Sequence, residues 1–156
     1  HAQAVQGAID QLERMGCTVI VQQNGIRVLG TAVLLPSDPV ALFPKTMRPE
    51  LAVLQLLANG NSVNAKIDPK LLDQLQKMQA DVQVQNDGLV LKGPCRLTGT
   101  SVKATDTVSA LTLTLAGLAA RGMTIVENGA YLGIGYEDLP SKLQGLGASL
   151  QLKDID

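Results

Sequence analysis

The sequence predicts an α/β (α+β) fold in which one unit recurs, with paired helices packed inside and sheets outside. Three observations carry this. A helix-like stretch running into a glycine-turn hairpin occurs twice and starts a third time: residues 9–16 then 18–30, 72–78 then 82–93, and 141–147 then 149–152. The spacing is nearly constant: the step from Leu12 to Leu75 is close to that from Leu75 to Leu143, and to that from Gly60 to Gly122. A period above sixty is too long for a common solenoid and suits a closed, pseudo-symmetric domain. Hydrophobic residues make up 46% of the chain but aromatic ones only 2%, so helices and strands must share an aliphatic core. At 156 residues the chain is the size of one domain, residues 1–156. It divides into a partial unit 1–30, a unit 31–96 and a unit 97–156, about two and a half of three units, the first lacking its opening strand and helix.

Each element follows from local pattern. Val5, Ala8, Ile9, Leu12 and Met15 recur at helical spacing over residues 4–15, and Gly16 ends that helix. Residues 19–29 read as a hairpin, with Asn24-Gly25 supplying the positive backbone angles of a tight turn. Residues 31–45, with Pro36, Pro39 and Pro44, read as a strand and then an irregular loop. A helix over 48–58 takes Pro49 in its first turn and stops at Gly60. A short strand is expected at 63–66. Asp68-Pro69 then opens a helix, the aspartate as cap and the proline at the first helical position. A strand at 98–103 leads to a helix capped by Thr105 or Asp106 and ended by Gly122. Residues 123–126 form a strand, 129–135 a flexible glycine-rich turn, and 137–146 the last helix.

Composition excludes several functions. A net charge of −1 does not suit a phosphate-backbone binder, and a chain without tryptophan offers no stacking platform for single strands, so no nucleic-acid partner is expected. No apolar run is long enough to span a bilayer, so no membrane partner is expected either. Cys17 and Cys95 make neither a disulfide framework nor a zinc site, and the cytoplasm is the expected compartment. The single histidine, His1, stands at the terminus, so a histidine triad or metal centre is not expected. Gly133-Ile134-Gly135 lacks the length and context of a dinucleotide fingerprint. No metal, no cofactor and no self-contained catalytic residue are expected.

Several short motifs go further. Leu97-Thr98-Gly99, Ala104-Thr105-Asp106, Leu115-Ala116-Gly117, Gly135-Tyr136-Glu137, Lys142-Leu143 and Leu146-Gly147-Ala148 follow one another in order, and Phe43-Pro44 with Met47 precedes a helix. With these motifs the chain resembles the enolpyruvyl transferase family over nearly its whole length, and within it the members that act on a UDP-sugar in cell-wall precursor synthesis. The resemblance implies an inside-out α/β barrel of three repeats, one of two domains, with substrates in the cleft between them. It implies transfer of an enolpyruvyl group from phosphoenolpyruvate to a sugar hydroxyl, with arginine and lysine gripping the anions. Implied partners are a UDP-sugar and phosphoenolpyruvate, held together with a complementary domain.

By the same resemblance, Thr46, Asp106, Tyr136 and Glu137 stand at substrate-binding positions. The family has a carboxylate where Thr46 stands, and threonine is no general base at neutral pH. It has arginine where Val108, Ile134 and Asp138 stand. Asp106 also has the position of a helix cap, Glu137 that of a charge at a helix start, and Lys45 and Arg48 flank Thr46 as surface cations. Two functions are therefore expected in competition: an enolpyruvyl-transferase domain inactive as an isolated chain, or a non-catalytic module that binds ligand, another protein or a second copy of itself.

Overall fold

Helix α1 (Ala2–Arg14) turns Gly7, Ile9 and Gln11 inward, with Met15 buried just past its end. Gly16 (φ 98°) stops it in the left-handed region, and the Cys17 amide returns to the Leu12 carbonyl at 2.9 Å. The computed structural model describes residues 2–154; His1 lies outside them. By backbone proximity the chain forms two compact units. One takes residues up to Ile67 with Ala80–Cys95, the other Asp68–Gln79 with the residues from Arg96 onward.

In the first unit, β1 (Thr18–Gln22) and β2 (Gly25–Leu29) form an antiparallel hairpin in which Gln22 faces Gly25. The turn is therefore Gln23-Asn24, one residue earlier than expected. Neither Asn24 nor Gly25 has a positive φ, because Gly25 is already a paired strand residue. The strand expected after Thr31 is absent. Residues 31–44 run irregularly, tied by Leu35 N–H to the Met15 carbonyl (2.9 Å) and Asn59 N–H to the Leu34 carbonyl (2.8 Å). Prolines 36, 39 and 44 remove the donors a ladder would need.

A single 3₁₀ turn (Lys45–Met47) leads into α2 (Arg48–Leu57), with Pro49 in its first turn and Leu51, Ala52, Val53, Gln55 and Leu56 buried. Gly60 (φ 145°) redirects the chain into β3 (Asn61–Asn64), two residues earlier than predicted, with Ser62 and Asn64 facing inward. After an excursion into the second unit, β4 (Val82–Gln85) and β5 (Gly88–Lys92) complete an antiparallel sheet of order β3-β5-β4. Met15, Phe43, Leu51 and Ala58 form one core cluster of this unit.

The second unit begins with α3 (Pro69–Lys77), whose cap Asp68 accepts from the Lys70 amide at 2.9 Å and whose Leu71, Leu72 and Leu75 are buried. Strands β6 (Ser101–Lys103) and β7 (Ile125–Glu127) pair in parallel, as a helical crossover between them permits. That crossover is α4 (Thr107–Ala119), ended near Gly122 (φ 77°). The expected glycine turn contains a short helix, α5 (Tyr131–Gly135), anchored by buried Leu132. The last helix, α6 (Leu139–Gly145), starts two residues after the predicted Glu137, because Tyr136 is extended and Asp138 is left-handed (φ 48°). Residues 149–152, expected as a third hairpin strand, lie in no strand.

Hydrogen bonds recur at matching positions. Gln11 Oε1 accepts from the Val40 amide at 2.8 Å, 29 residues on. Gln74 Oε1 accepts from the Lys103 amide at 2.9 Å, also 29 residues on. Likewise the Met15 carbonyl accepts from the Leu35 amide, and the Met78 carbonyl from the Thr98 amide, both at 2.9 Å. Gln11 and Gln74, and Met15 and Met78, are separated by the same step as Leu12 and Leu75.

Candidate functional site

In the first unit, the Phe43-Pro44 turn is built from its anchors outward. Phe43 is buried and its amide bonds the Val40 carbonyl at 3.0 Å; the Met47 amide closes on the Pro44 carbonyl at 3.0 Å. Lys45 and Thr46 face solvent on that turn. The Arg48 guanidinium Nε is buried with no hydrogen-bond partner.

Buried amides hold this turn from behind. Asn64 Nδ2 donates to the Arg48 carbonyl (2.9 Å) and to Gln55 Oε1 (2.8 Å), while Asn64 Oδ1 accepts from the Ala65 amide (2.7 Å). Gln55 Nε2 donates to the carbonyls of Ser37 (2.8 Å) and Val63 (3.0 Å). The Ser37 amide donates to Ser62 Oγ (3.1 Å), and the Val63 amide to Asp38 Oδ1 (2.8 Å). An irregular, proline-rich stretch is thus fixed by side-chain amides where no ladder exists, satisfying backbone groups that would be costly to bury unpaired. Sequence reasoning missed Gln55 and Asn64. The signal was a glutamine inside the Leu51–Leu56 apolar stripe.

In the second unit, Asp106 and Ser109 form a reciprocal capping box. The Ser109 amide donates to Asp106 Oδ1 (2.7 Å), and the Asp106 amide donates to Ser109 Oγ (3.1 Å). Tyr136 is half-buried against Ala104, Ala110 and Leu132, beside Tyr131 and Leu139. Gly135 lies so close to Thr107 that a β-carbon there would overlap its methyl group. Asn128 Nδ2 donates to the Ala104 carbonyl (3.0 Å), fixing the strand end just before the cap. Asp106 and Tyr136 therefore converge on one helix start, whereas Glu137 is exposed beyond it and Thr46 belongs to the other unit. Ile134 is 77% exposed, and Val108 and Asp138 also face solvent. Among the described residues no group of three or more histidine, cysteine or acidic side chains could hold a metal ion. Cys17 and Cys95 are not joined in a disulfide. No described helix is long and apolar enough to cross a membrane.

The cap gives a direct prediction. Asp106→Ala should lower unfolding free energy by about 1 kcal/mol, and Asp106→Asn, which keeps an acceptor, by much less. Urea unfolding of both variants measures this, and equal losses would show that the cap contributes little.

The fold and these two turns define a mixed α/β scaffold that presents a cationic turn on one unit and a capped helix start on the other. The chain belongs to the EPSP synthase (3-phosphoshikimate 1-carboxyvinyltransferase) family, whose profile matches residues 1–143. It is 34% identical to UDP-N-acetylglucosamine 1-carboxyvinyltransferase 1 of Halalkalibacterium halodurans over 158 residues, covering 96% of this chain and 36% of that protein. Against the protein of the same name from Staphylococcus aureus, identity is 36%, covering 94% of this chain and 39% of the relative. The enolpyruvyl transferase NikO from Streptomyces tendae superposes with a TM-score of 0.81 at 28% identity, over 95% of this chain and 36% of that one. An EPSP synthase from Acinetobacter baumannii shares the fold, with a TM-score of 0.62 at 17% identity, over 97% of this chain and 37% of that one. The chain thus spans little more than a third of the length of these proteins.

Proposed function

We propose that this chain is one domain of an enolpyruvyl transferase, acting with a complementary domain to move the enolpyruvyl group of phosphoenolpyruvate onto a UDP-sugar hydroxyl in the cytoplasm, and inactive on its own. The observation that supports this most is the pairing of 34–36% identity with coverage of only 36–39% of the relatives. The chemistry agrees. Thr46, an exposed threonine where the resemblance places a carboxylate, supplies no general base at neutral pH. On this reading Thr46 on one unit, and Asp106, Tyr136 and Glu137 on the other, each stand at a substrate-binding position. The chain also carries an internal repeat within an inside-out barrel, as the matched Gln11 and Gln74 bonds suggest.

The isolated chain, given phosphoenolpyruvate and UDP-N-acetylglucosamine, should release no phosphate above background. Sustained release would overturn the assignment of inactivity. A second reading, a non-catalytic association module, is favoured by the apolar residues exposed along β1 and β2, among them Val21 and Val28. Sedimentation separates the two, since a monomer at high concentration counts against self-association.

A further inference from the structure

The turn that carries Lys45 and Thr46 is fixed at three points of its own unit. Upstream, Gln11 Oε1 of α1 accepts from the Val40 amide at 2.8 Å. Downstream, Asn64 Nδ2 donates to the Arg48 carbonyl at 2.9 Å. Between them the chain rests on α1 at Gly7, which is buried. A β-carbon on Gly7 would overlap the Leu42 carbonyl group and press on the Phe43 amide nitrogen. Gly7 lies within α1 and has no positive φ, so only this close approach calls for a residue without a side chain. On the repeat proposed above, the second copy shows what the contact adds. Gln74 and Lys103 reproduce the Gln11–Val40 bond, and the same step takes Gly7 to Lys70, which is exposed. It takes Lys45, Thr46 and Met47 to Val108, Ser109 and Ala110, which already lie inside α4. The 3₁₀ turn is a departure of the first copy, and it follows directly on the segment seated against Gly7.

We infer that Gly7 is a positioning residue: it lets residues 42–43 seat on α1, and so sets where Lys45 and Thr46 stand toward a UDP-sugar. This role rests on the place of Thr46 in substrate binding proposed above. A methyl group at Gly7 must displace one of the two partners. α1 is anchored by Ile9 and Gln11, with Met15 just past its end, all buried, whereas Ala41 and Leu42 are exposed on an irregular stretch. A cavity lined by residues 40–42 with Asp10, Glu13 and Arg14 of α1 leaves that stretch room to move. The stretch therefore yields, and the turn moves with it. The Phe43 amide on the Val40 carbonyl and the Met47 amide on the Pro44 carbonyl, both at 3.0 Å, link the two into one continuous piece.

The test compares Gly7→Ala with Ile9→Ala in the whole 156-residue chain. Ile9 is buried on the same helix, but residues two apart point to different faces, so its truncation is a control for lost stability alone. Under conditions where both variants are folded, trypsin should cut after Lys45 about tenfold faster in Gly7→Ala, with cleavage after Lys92 little changed. Ile9→Ala should affect the two sites alike. The second readout is the Thr46 amide resonance titrated with millimolar UDP-N-acetylglucosamine. The dissociation constant should rise about tenfold in Gly7→Ala and hold within about twofold in Ile9→Ala, since a displaced contact is a weakened one. Equal acceleration at Lys45 and Lys92 in Gly7→Ala, or equal weakening of binding by the two variants, overturns the positioning role. Unweakened binding in Gly7→Ala also overturns it and leaves the proposed function standing, whereas no binding to the wild-type chain overturns both.

Discussion

Gly93→Ala is expected to destabilise the chain by about 3 kcal/mol, while Gly30→Ala is neutral or stabilises it by up to about 1 kcal/mol. On the repeat proposed above, the two glycines close the same hairpin position in successive copies. At Gly93 the new methyl group meets three backbone carbonyls at the C-terminal end of α2, and carbonyls of a buried helix cannot swing aside as a side-chain tip can. At Gly30 the methyl group enters open space, and its main effect is to restrict the unfolded chain. Urea midpoints of the two variants measure the difference. Equal losses would mean that the two hairpins sit in equivalent surroundings, contrary to the exposure of Ile26 and Val28.

Gln55→Leu is expected to cost about 3 kcal/mol, because the amide serves the Ser37 and Val63 carbonyls and accepts from Asn64. The substitution keeps size and adds apolar surface, so a packing argument alone would predict little loss. Removing the amide, however, leaves buried acceptors unpaired at about 1–3 kcal/mol each. The 45–47 turn hangs on the Arg48 carbonyl that Asn64 also holds, so proteolysis after Lys45 should quicken. In the Gln55→Leu background, Asn64→Ala should cost less than it does alone, because the two share one network. Fully additive losses would show that the amides act independently.

The parts of the fold legible in the sequence were those with local physical signatures. Asp68-Pro69 and Asp106 declared helix starts, because a short acceptor side chain followed by a helix-compatible turn has few other uses. The two hairpins declared themselves by alternation around polar turns, although the first turn proved to be Gln23-Asn24. Family membership was legible in Gly135-Tyr136-Glu137 and its companions. What stayed hidden depended on contacts made at a distance. Residues 31–44 look extended and apolar enough for a strand, yet their prolines deny the ladder and distant amides hold them instead. The Tyr131–Gly135 helix was masked by its glycines, of which Gly135 serves to let Thr107 approach. The bonds made by Gln11, Gln55, Gln74 and Asn64 stayed hidden, because hydropathy cannot show which backbone group lacks a partner. The candidate site was legible as positions and, at Asp106, as a helix cap; that Tyr136 is a core contact follows from no motif.

The paired glutamines carry one more consequence. Gln11 and Gln74 each bond an amide 29 residues downstream, across a hairpin that lies inside the span. Each bond works as a caliper set on contour length. A single residue gained or lost in the helix end or the irregular return would pull the amide out of reach. Residues added at Gln23-Asn24 or Asn86-Asp87 would only lengthen a loop beyond the last paired residues of its hairpin. The two hairpin tips are therefore the places where this architecture can accept a tag, a fluorophore or a grafted loop.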